Sequence, residues 1–395
     1  MERWLLPEGV EEALPPDTWC LEAARRDLLD LFRSWGYELI RPPLIEFLES
    51  LLTGTGRDLD LQTFKLTDQL SGRLMGVRSD MTTQAARIDA HRLRRDVPAR
   101  YCYLGSVLHT RPDAPGGTRT PLQIGVELFG YTGVAGDAEV LSVMLETLSA
   151  CGIEAVHVDL GHVGIYRALA ARAELNEQDE WELFDILQRK ALPDLRSFLA
   201  ARSIDADTAA MLCALPELSG DLSILTAAGE LLANAGTVVL EALEELRLLS
   251  TQMQTKYPNV PLHIDLAELR GYRYKTGVVF AAFQQGQGRE LARGGRYDDI
   301  GRAFGRGRAA TGFSADLNRL AQLAAFQQSV SQQAVFVPAG DDAAMLEVVK
   351  ALRSAGRQLI QELPGQTGGA EQMGCNECLT RIDGQWVVQP VSSSN

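Results

Sequence analysis

Residues 276–283 read Thr276-Gly277-Val278-Val279-Phe280-Ala281-Ala282-Phe283, and the run Arg289-Glu290-Leu291-Ala292-Arg293 follows closely. Both runs read as strands, with a further strand at 262–265. The short link between them permits a hairpin, whereas a parallel pair needs a crossover of about a dozen or more residues. The close spacing therefore implies an antiparallel sheet. It separates this chain from doubly wound nucleotide-binding folds, whose strands are parallel.

Outward from this hairpin, short strands are expected at 63–68, 74–78, 101–109 and 122–131, with a capped helix at 80–88. An amphipathic helix follows at 136–150, then a strand at 156–160 and a helix from about Val163. Nearer the start, Asp17 and Thr18 can cap a helix to about Trp35, ended by Gly36. Its apolar stripe is Leu21, Ala24, Leu28, Leu31, Phe32 and Trp35. Residues 37–40 read as a strand entering Pro42-Pro43, and 47–52 as a second helix. Residues 175–255 carry Leu, Ala and Glu at helical spacing. They read as several short helices with no chemistry assigned to them. A helix begins near Ala315. The polar stretch Gln327-Gln328-Ser329-Val330-Ser331-Gln332-Gln333 reads as a linker. Beyond it come a strand (334–337), a helix (342–355) and strands at 357–362 and 385–390.

The expected fold class is α+β. A domain over 1–325 holds an antiparallel sheet of six or seven strands flanked by helices, with a helical insertion at about 175–255. A small C-terminal α/β domain occupies 334–395. No internal repeat is present.

Composition narrows the function classes. The chain has 395 residues, 46% hydrophobic and 23% charged, as expected of a globular protein. No stretch approaches the roughly 18 apolar residues of a membrane span, and the start lacks the pattern of a secretory signal. The six cysteines are Cys20, Cys102, Cys151, Cys213, Cys375 and Cys378, and four are scattered in apolar surroundings. That suits a reducing, cytoplasmic setting. The net charge of −14 opposes binding to nucleic acid, which rewards Lys and Arg on phosphates. The basic cluster between Arg87 and Arg100 is interrupted by Asp89 and Asp96 and reads as a solvated helix face. Cys375-Asn376-Glu377-Cys378 has no second pair and no nearby histidine, so no metal site is expected.

Three stretches carry candidate chemistry. In Leu122-Gln123-Ile124-Gly125-Val126-Glu127-Leu128-Phe129, alternation puts Ile124, Val126 and Leu128 on one face. Gln123, Gly125 and Glu127 share the other. Gly between polar residues on a strand marks close approach of a ligand or another backbone. The alternative is an outer face in water. In Arg270-Gly271-Tyr272-Arg273-Tyr274-Lys275-Thr276-Gly277, an extended chain would align Arg270, Tyr272 and Tyr274. The Arg fork suits a carboxylate and the tyrosines an aromatic wall. The alternative is an edge hairpin with surface side chains. In Arg293-Gly294-Gly295-Arg296-Tyr297-Asp298, the two glycines permit a tight strand-to-helix turn.

The order of these pieces resembles histidyl-tRNA synthetase, a class II aminoacyl-tRNA synthetase. It resembles more closely the synthetase-like regulatory subunits of ATP phosphoribosyltransferase. The resemblance spans roughly residues 5–325. Its most specific runs are Val77-Arg78-Ser79-Asp80-Met81-Thr82, 122–130, 270–280, 294–298 and 312–316. It implies that Asp80 and Thr82 hold a substrate amino group. It matches Gln123 and Glu127 to the second motif and Arg270 to the histidine-specific motif. Histidine-binding residues are then expected at Asp80, Thr82, Gln123, Glu127, Arg270, Tyr272 and Tyr274.

The adenylate-forming equipment departs from the synthetase pattern. In Val107-Leu108-His109-Thr110-Arg111-Pro112, Leu108 stands where an Arg contacts the ATP α-phosphate, and Thr110 replaces a Glu. Losing a preorganised charge typically costs on the order of 10²–10³ in rate. Ala310 and Asn318 replace Gly and Glu of the third motif, whereas Arg319 remains. Tyr272-Arg273-Tyr274-Lys275 stands where the synthetase has an Asp and paired tyrosines. The C-terminal unit is too short for a complete anticodon-binding domain.

The resemblance implies a non-catalytic regulatory subunit for the first step of histidine biosynthesis and its feedback inhibition. No catalytic residue, cofactor or metal is expected. The implied partners are a short-form ATP phosphoribosyltransferase catalytic subunit lacking its own regulatory domain, a second copy of this chain within a hetero-oligomer, and free histidine. Residues 17–52 would help form the homodimer. Neither tRNA nor a membrane is expected. The alternatives are an active histidine–tRNA ligase and a phosphoribosyl-transferring enzyme. For the latter no Gly/Thr-rich phosphate loop follows two acidic residues at a strand end.

Overall fold

The structure, a computed structural model, describes residues 4–54, 57–112, 117–272, 274–323 and 334–391. The expected linker at 327–333 and Arg273 lie outside the described residues. The chain divides into two compact units, Met1–Phe326 and Gln327–Asn395.

The first unit opens with α1 (Asp17–Ser34), β1 (Glu38–Leu39), β2 (Ile45–Phe47), α2 (Leu48–Leu51), α3 (Arg57–Gln62), β3 (Phe64–Thr67), β4 (Leu74–Val77) and α4 (Thr82–Ile88). It continues through β5 (Ala99–Ser106), β6 (Leu122–Phe129), α5 (Val134–Ala150), β7 (Val156–His162) and α6 (Val163–Arg172). A largely helical stretch follows: α7 (Glu177–Gln188), α8 (Leu192–Ala200), α9 (Ala206–Ala214), β8 (Ser219–Gly220), α10 (Ile224–Leu231) and α11 (Thr237–Lys256). The unit closes with β9 (Leu262–Asp265), β10 (Val278–Gln284), β11 (Ala292–Arg296), α12 (Ile300–Ala303), β12 (Ala310–Asp316) and α13 (Leu317–Leu323).

Among the described residues, nine strands form the main sheet, in the order β1-β5-β6-β12-β11-β10-β7-β9-β8. The expectation of six or seven antiparallel strands is corrected in number and at the edges. The middle is antiparallel, but β1 runs parallel to β5 and β7 parallel to β9. A separate three-stranded sheet runs β2-β4-β3.

Period-2 alternation positions the core. Ile124, Val126 and Leu128 of β6 are buried on the helix-covered face with Ala24, Leu28 and Phe32 of α1. Val140, Met144 and Leu148 of α5 and Leu246 of α11 join the same cluster. Phe32 meets Phe313 of β12 edge-on at 6.3 Å. Each such side chain contributes roughly 1.5–3 kcal/mol by leaving water. The opposite face of the same strands is left for the site.

Several element readings are corrected. Helix α1 is preceded by Pro16 and has no side-chain cap; Asp17 lies in its first turn, facing the positive helix end. Helix α4 begins at Thr82, and the Asp80 Oδ1 accepts from the Thr82 backbone N–H at 3.3 Å. The basic stretch is not one helix face. A π-helical turn (Asp89–Leu93) and a left-handed Arg94 (φ 48°) break it, and Arg87 and Arg100 pair with Glu46 and Glu139. The run Ala310-Thr311-Gly312-Phe313-Ser314-Ala315-Asp316, which carries no strand pattern, is β12, between β6 and β11. Its small residues have weak strand propensity, and pairing on both sides overrides that. The helix expected near Ala315 starts at Leu317.

In the second unit, β13 (Val335–Val337), α14 (Ala343–Ser354), β14 (Leu359–Gln361), β15 (Glu377–Ile382) and β16 (Gln385–Pro390) form a sheet of order β14-β13-β15-β16 under one helix. Strand β15 adds to the strands expected in this unit. Val335, Val337, Met345, Val349 and Leu379 make a separate core. Cys375 is buried and Cys378 half-buried, both as free thiols. Among the described residues, no helix is long and apolar enough to cross a membrane.

Candidate functional site

A cavity of about 610 Å³ lies in the first unit, and Asp80, Thr82, Gln123 and Glu127 all line it. Arg270, Tyr272 and Tyr274 line the same cavity. The polar face of β6 is therefore a cavity wall and not an outer face in water.

Glu127 is 1% exposed. Its Oε1 accepts from the Tyr103 hydroxyl at 2.9 Å, and its Oε2 from the Tyr297 hydroxyl. Burial pushes its carboxyl up to about 7, against the pull of the Tyr297 hydroxyl and the Lys275 ammonium. Burial and the neighbouring Glu127 hold the Tyr103 and Tyr297 phenols well above their ordinary value. The glycine singled out on this strand, Gly125, lies against the Tyr103 hydroxyl and the Phe313 carbonyl, so the close approach is made by protein atoms.

Asp80 leads into α4 beside this carboxylate. Gln123 joins the two elements: its Oε1 accepts from the Met81 N–H (2.9 Å) and its Nε2 donates to Asp80 Oδ1 (2.6 Å). The Thr82 hydroxyl lies 3.3 Å from Asp80 Oδ1 and 3.2 Å from the Tyr103 hydroxyl. A continuous polar chain thus runs from Asp80 through Thr82 and Tyr103 to Glu127.

The stretch from Arg270 is corrected: it is a turn and not an extended strand. Gly271 has φ 73°, and the N–H groups of Tyr274 and Lys275 both donate to the Gly271 carbonyl. Arg270, Tyr272 and Tyr274 reach one cavity by this turn rather than by alternation. The Arg270 guanidinium is already engaged by the Glu268 carboxylate (2.7 Å) and by Glu290 (3.1 Å). Burial works against its charge, but these carboxylates hold its pKa above the usual value. A carboxylate entering the cavity must share Arg270 with them. Gly294 and Gly295 are likewise corrected: they lie inside β11, and the turn into α12 follows them. A Cβ on Gly294 would meet the Gly312 carbonyl and the Phe280 ring, each at 2.4 Å.

Four lining residues outside the seven expected to bind histidine bear on the site. Tyr297 and Lys275 flank Glu127. Trp181 and Phe184 come from α7, in the segment given no chemistry. They stack with ring centroids 5.2 Å apart, and Phe184 stacks on Tyr272 at 4.3 Å. Their aromatic spacing along α7 was the available signal.

Leu108 and Thr110 lie outside the lining, whereas His109 between them is within it. The Leu108 N–H donates to the Arg78 carbonyl and the Thr110 hydroxyl to the Leu61 carbonyl. Arg319 does line the cavity and donates to the Glu290 and Arg289 carbonyls. Among the described residues, no group of three His, Cys, Asp or Glu is placed to hold a metal. The arrangement suits a small zwitterion with a polar ring: Asp80 opposite an ammonium, Arg270 opposite a carboxylate, and Glu127 opposite a ring donor, between aromatic walls.

The family model for histidyl-tRNA synthetase matches residues 9–320, and that for the ATP phosphoribosyltransferase subunit HisZ C-terminal domain matches 332–389. The chain is 58% identical over 387 residues to an ATP phosphoribosyltransferase regulatory subunit of Thioalkalivibrio sulfidiphilus, covering 98% of both chains. It is 54% identical over 391 residues to a protein of the same description from Alkalilimnicola ehrlichii, again covering 98% of both. A solved structure described as an ATP phosphoribosyltransferase regulatory subunit/histidyl-tRNA synthetase from Bacillus halodurans C matches with a TM-score of 0.83. Identity there is 26%, over 95% of this chain and 96% of that one.

Proposed function

Because the chain belongs to the family of ATP phosphoribosyltransferase regulatory subunits, we propose that it is the non-catalytic, histidine-sensing partner of such a transferase's catalytic subunit. It serves the first step of histidine biosynthesis and confers feedback inhibition on it. The observation that carries this reading is a cavity that keeps groups for an amino acid beside motif positions that have lost theirs for ATP. Asp80 and Thr82, tied to β6 by Gln123, face the α-ammonium. Arg270 shares its guanidinium between Glu290, Glu268 and the carboxylate. Glu127 takes the ring, and Tyr272 and Tyr274 wall it.

Leu108 carries no charge to steady an α-phosphate. Activation of an amino acid by ATP is therefore absent, and a net charge of −14 leaves little for tRNA. The partner is a short-form catalytic subunit lacking a regulatory domain of its own, and the complex is cytoplasmic. Inhibition requires that histidine bind one state of the complex better than the other, by about 1–3 kcal/mol, or roughly 5–150-fold.

Isothermal titration of histidine into the purified complex tests this. Saturable binding, lost in Glu127→Gln and paralleled by inhibition of the transferase, is the expected result. No binding sinks the reading. Histidine-dependent pyrophosphate–ATP exchange by the chain at ordinary rates would establish a ligase instead.

A further inference from the structure

Lys275 is 7% exposed and lines the cavity beside Glu127. Its Nζ donates to the Gly295 carbonyl at 3.1 Å. It lies 5.2 Å from the Tyr274 ring centroid and 5.1 Å from that of Tyr297. An ammonium carries three donors, and Gly295 is its one hydrogen-bond acceptor among the described residues. A buried ammonium gains from a further acceptor, so a ligand atom that accepts from it in this cavity is favoured. Glu127 is the complementary case. Each of its oxygens takes one phenol, and a carboxylate has about four acceptor positions. The two groups meet on one side chain: the Tyr297 hydroxyl is on Glu127, and its ring faces Lys275.

We infer that Lys275 selects the form of the ring this cavity accepts. Its ammonium donates to a bare ring nitrogen while Glu127 accepts from the ring N–H, so neutral imidazole binds and imidazolium is refused. The inference rests on the histidine reading and deepens it at a position where the synthetase pattern expects a tyrosine. A neutral imidazole offers one N–H and one bare nitrogen, which matches one fixed acceptor and one fixed donor. An imidazolium offers two N–H groups and a positive charge, and one N–H would face the ammonium.

The other charges around Lys275 do not replace it. Asp80, on the approach to α4, is engaged by Gln123 and Thr82. Arg293 of β11 adds a second positive charge, and Asp137 of α5 is spent on Arg296 at 2.7 Å. The phenols of Tyr103 and Tyr297 stay neutral, each raised by burial. Burial brings the Lys275 ammonium down, against the pull of the Glu127 and Asp80 carboxylates.

The test compares histidine with 1,2,4-triazole-3-alanine, whose ring stays neutral in mild acid, by isothermal titration into the purified complex between pH 5.5 and 7.5. Titration of Glu127 weakens both ligands and cancels in their ratio. The histidine-to-triazole affinity ratio is expected to fall about tenfold per pH unit below the imidazole pKa of about 6.5. In Lys275→Met the ratio is expected to be flat. A flat ratio in the unsubstituted chain overturns the inference and leaves the histidine reading standing. No histidine binding at any pH overturns both. The unsubstituted chain decides the matter even where Lys275→Met does not fold.

Discussion

Gly312 stands directly across from Glu127 in the sheet, and a Cβ built on it would meet the Glu127 Oε2 at 1.7 Å. The carboxylate lies over the backbone of β12, so Gly312 is a requirement of the cavity. Gly312→Ala should destabilise the chain by about 1–3 kcal/mol through overpacking and weaken histidine binding with it. Chemical denaturation and titration calorimetry read the two effects. Glu127 also predicts a pH dependence. Its folded pKa of about 7 lies above the roughly 4.3 of an unfolded chain, so the folded state holds the proton more tightly. This contribution to stability is full below about pH 4.3 and is lost as pH rises through about 7. Glu127→Gln should remove that fall, measured as urea midpoints across the range. At this scale the sequence was informative about type and poor about pairing. Residues 123 and 127 stood out by alternation, whereas Lys275 and Tyr297 show no period and are brought to Glu127 by a turn and a strand end.

Among the elements, α7 carries the largest surprise. Its Trp181 and Phe184 continue the aromatic wall begun by Tyr272, and Tyr166 of α6 closes it edge-on at 5.6 Å. Aromatic pairs are worth about 0.5–1.5 kcal/mol beyond their area. Trp181→Ala should therefore weaken histidine binding by roughly three- to tenfold with little change in melting temperature, since the residue is 41% exposed. Calorimetry beside a thermal scan separates the two. The helical stretch was legible from Leu and Ala at helical spacing. Its role was not, because the contact between α7 and the turn at Tyr272 joins residues far apart in the chain. Strand β12 was illegible for the converse reason. Its own propensity is low, and it exists because β6 and β11 pair with it on either side.

For the molecule as a whole, Leu39 at 60%, Leu44 at 46% and Ile45 at 45% are exposed apolar side chains before and along β2. They fall within residues 17–52, the stretch whose resemblance implies a homodimer. Isolated apolar residues are ordinary on a surface, so it is the resemblance that directs the test to this stretch. Ile45→Glu should shift the chain from dimer to monomer in sedimentation velocity while leaving its circular dichroism unchanged. A monomer before substitution, or a dimer after it, would refute this.

The sequence by itself determined the class of fold and the family. Close strand spacing forces antiparallel pairing, and the order of the motif runs is carried by local residue types. It also marked Gln123 and Glu127 by their alternation on one strand face, and Asp80 and Arg270 by the resemblance of their motif runs. Only the tertiary structure decided that these line one cavity, that Glu268 and Glu290 already hold Arg270, and that Lys275 lies beside Glu127. Those are relations between residues distant in the chain or placed by a turn. They are set by strand register and packing, which no local pattern records.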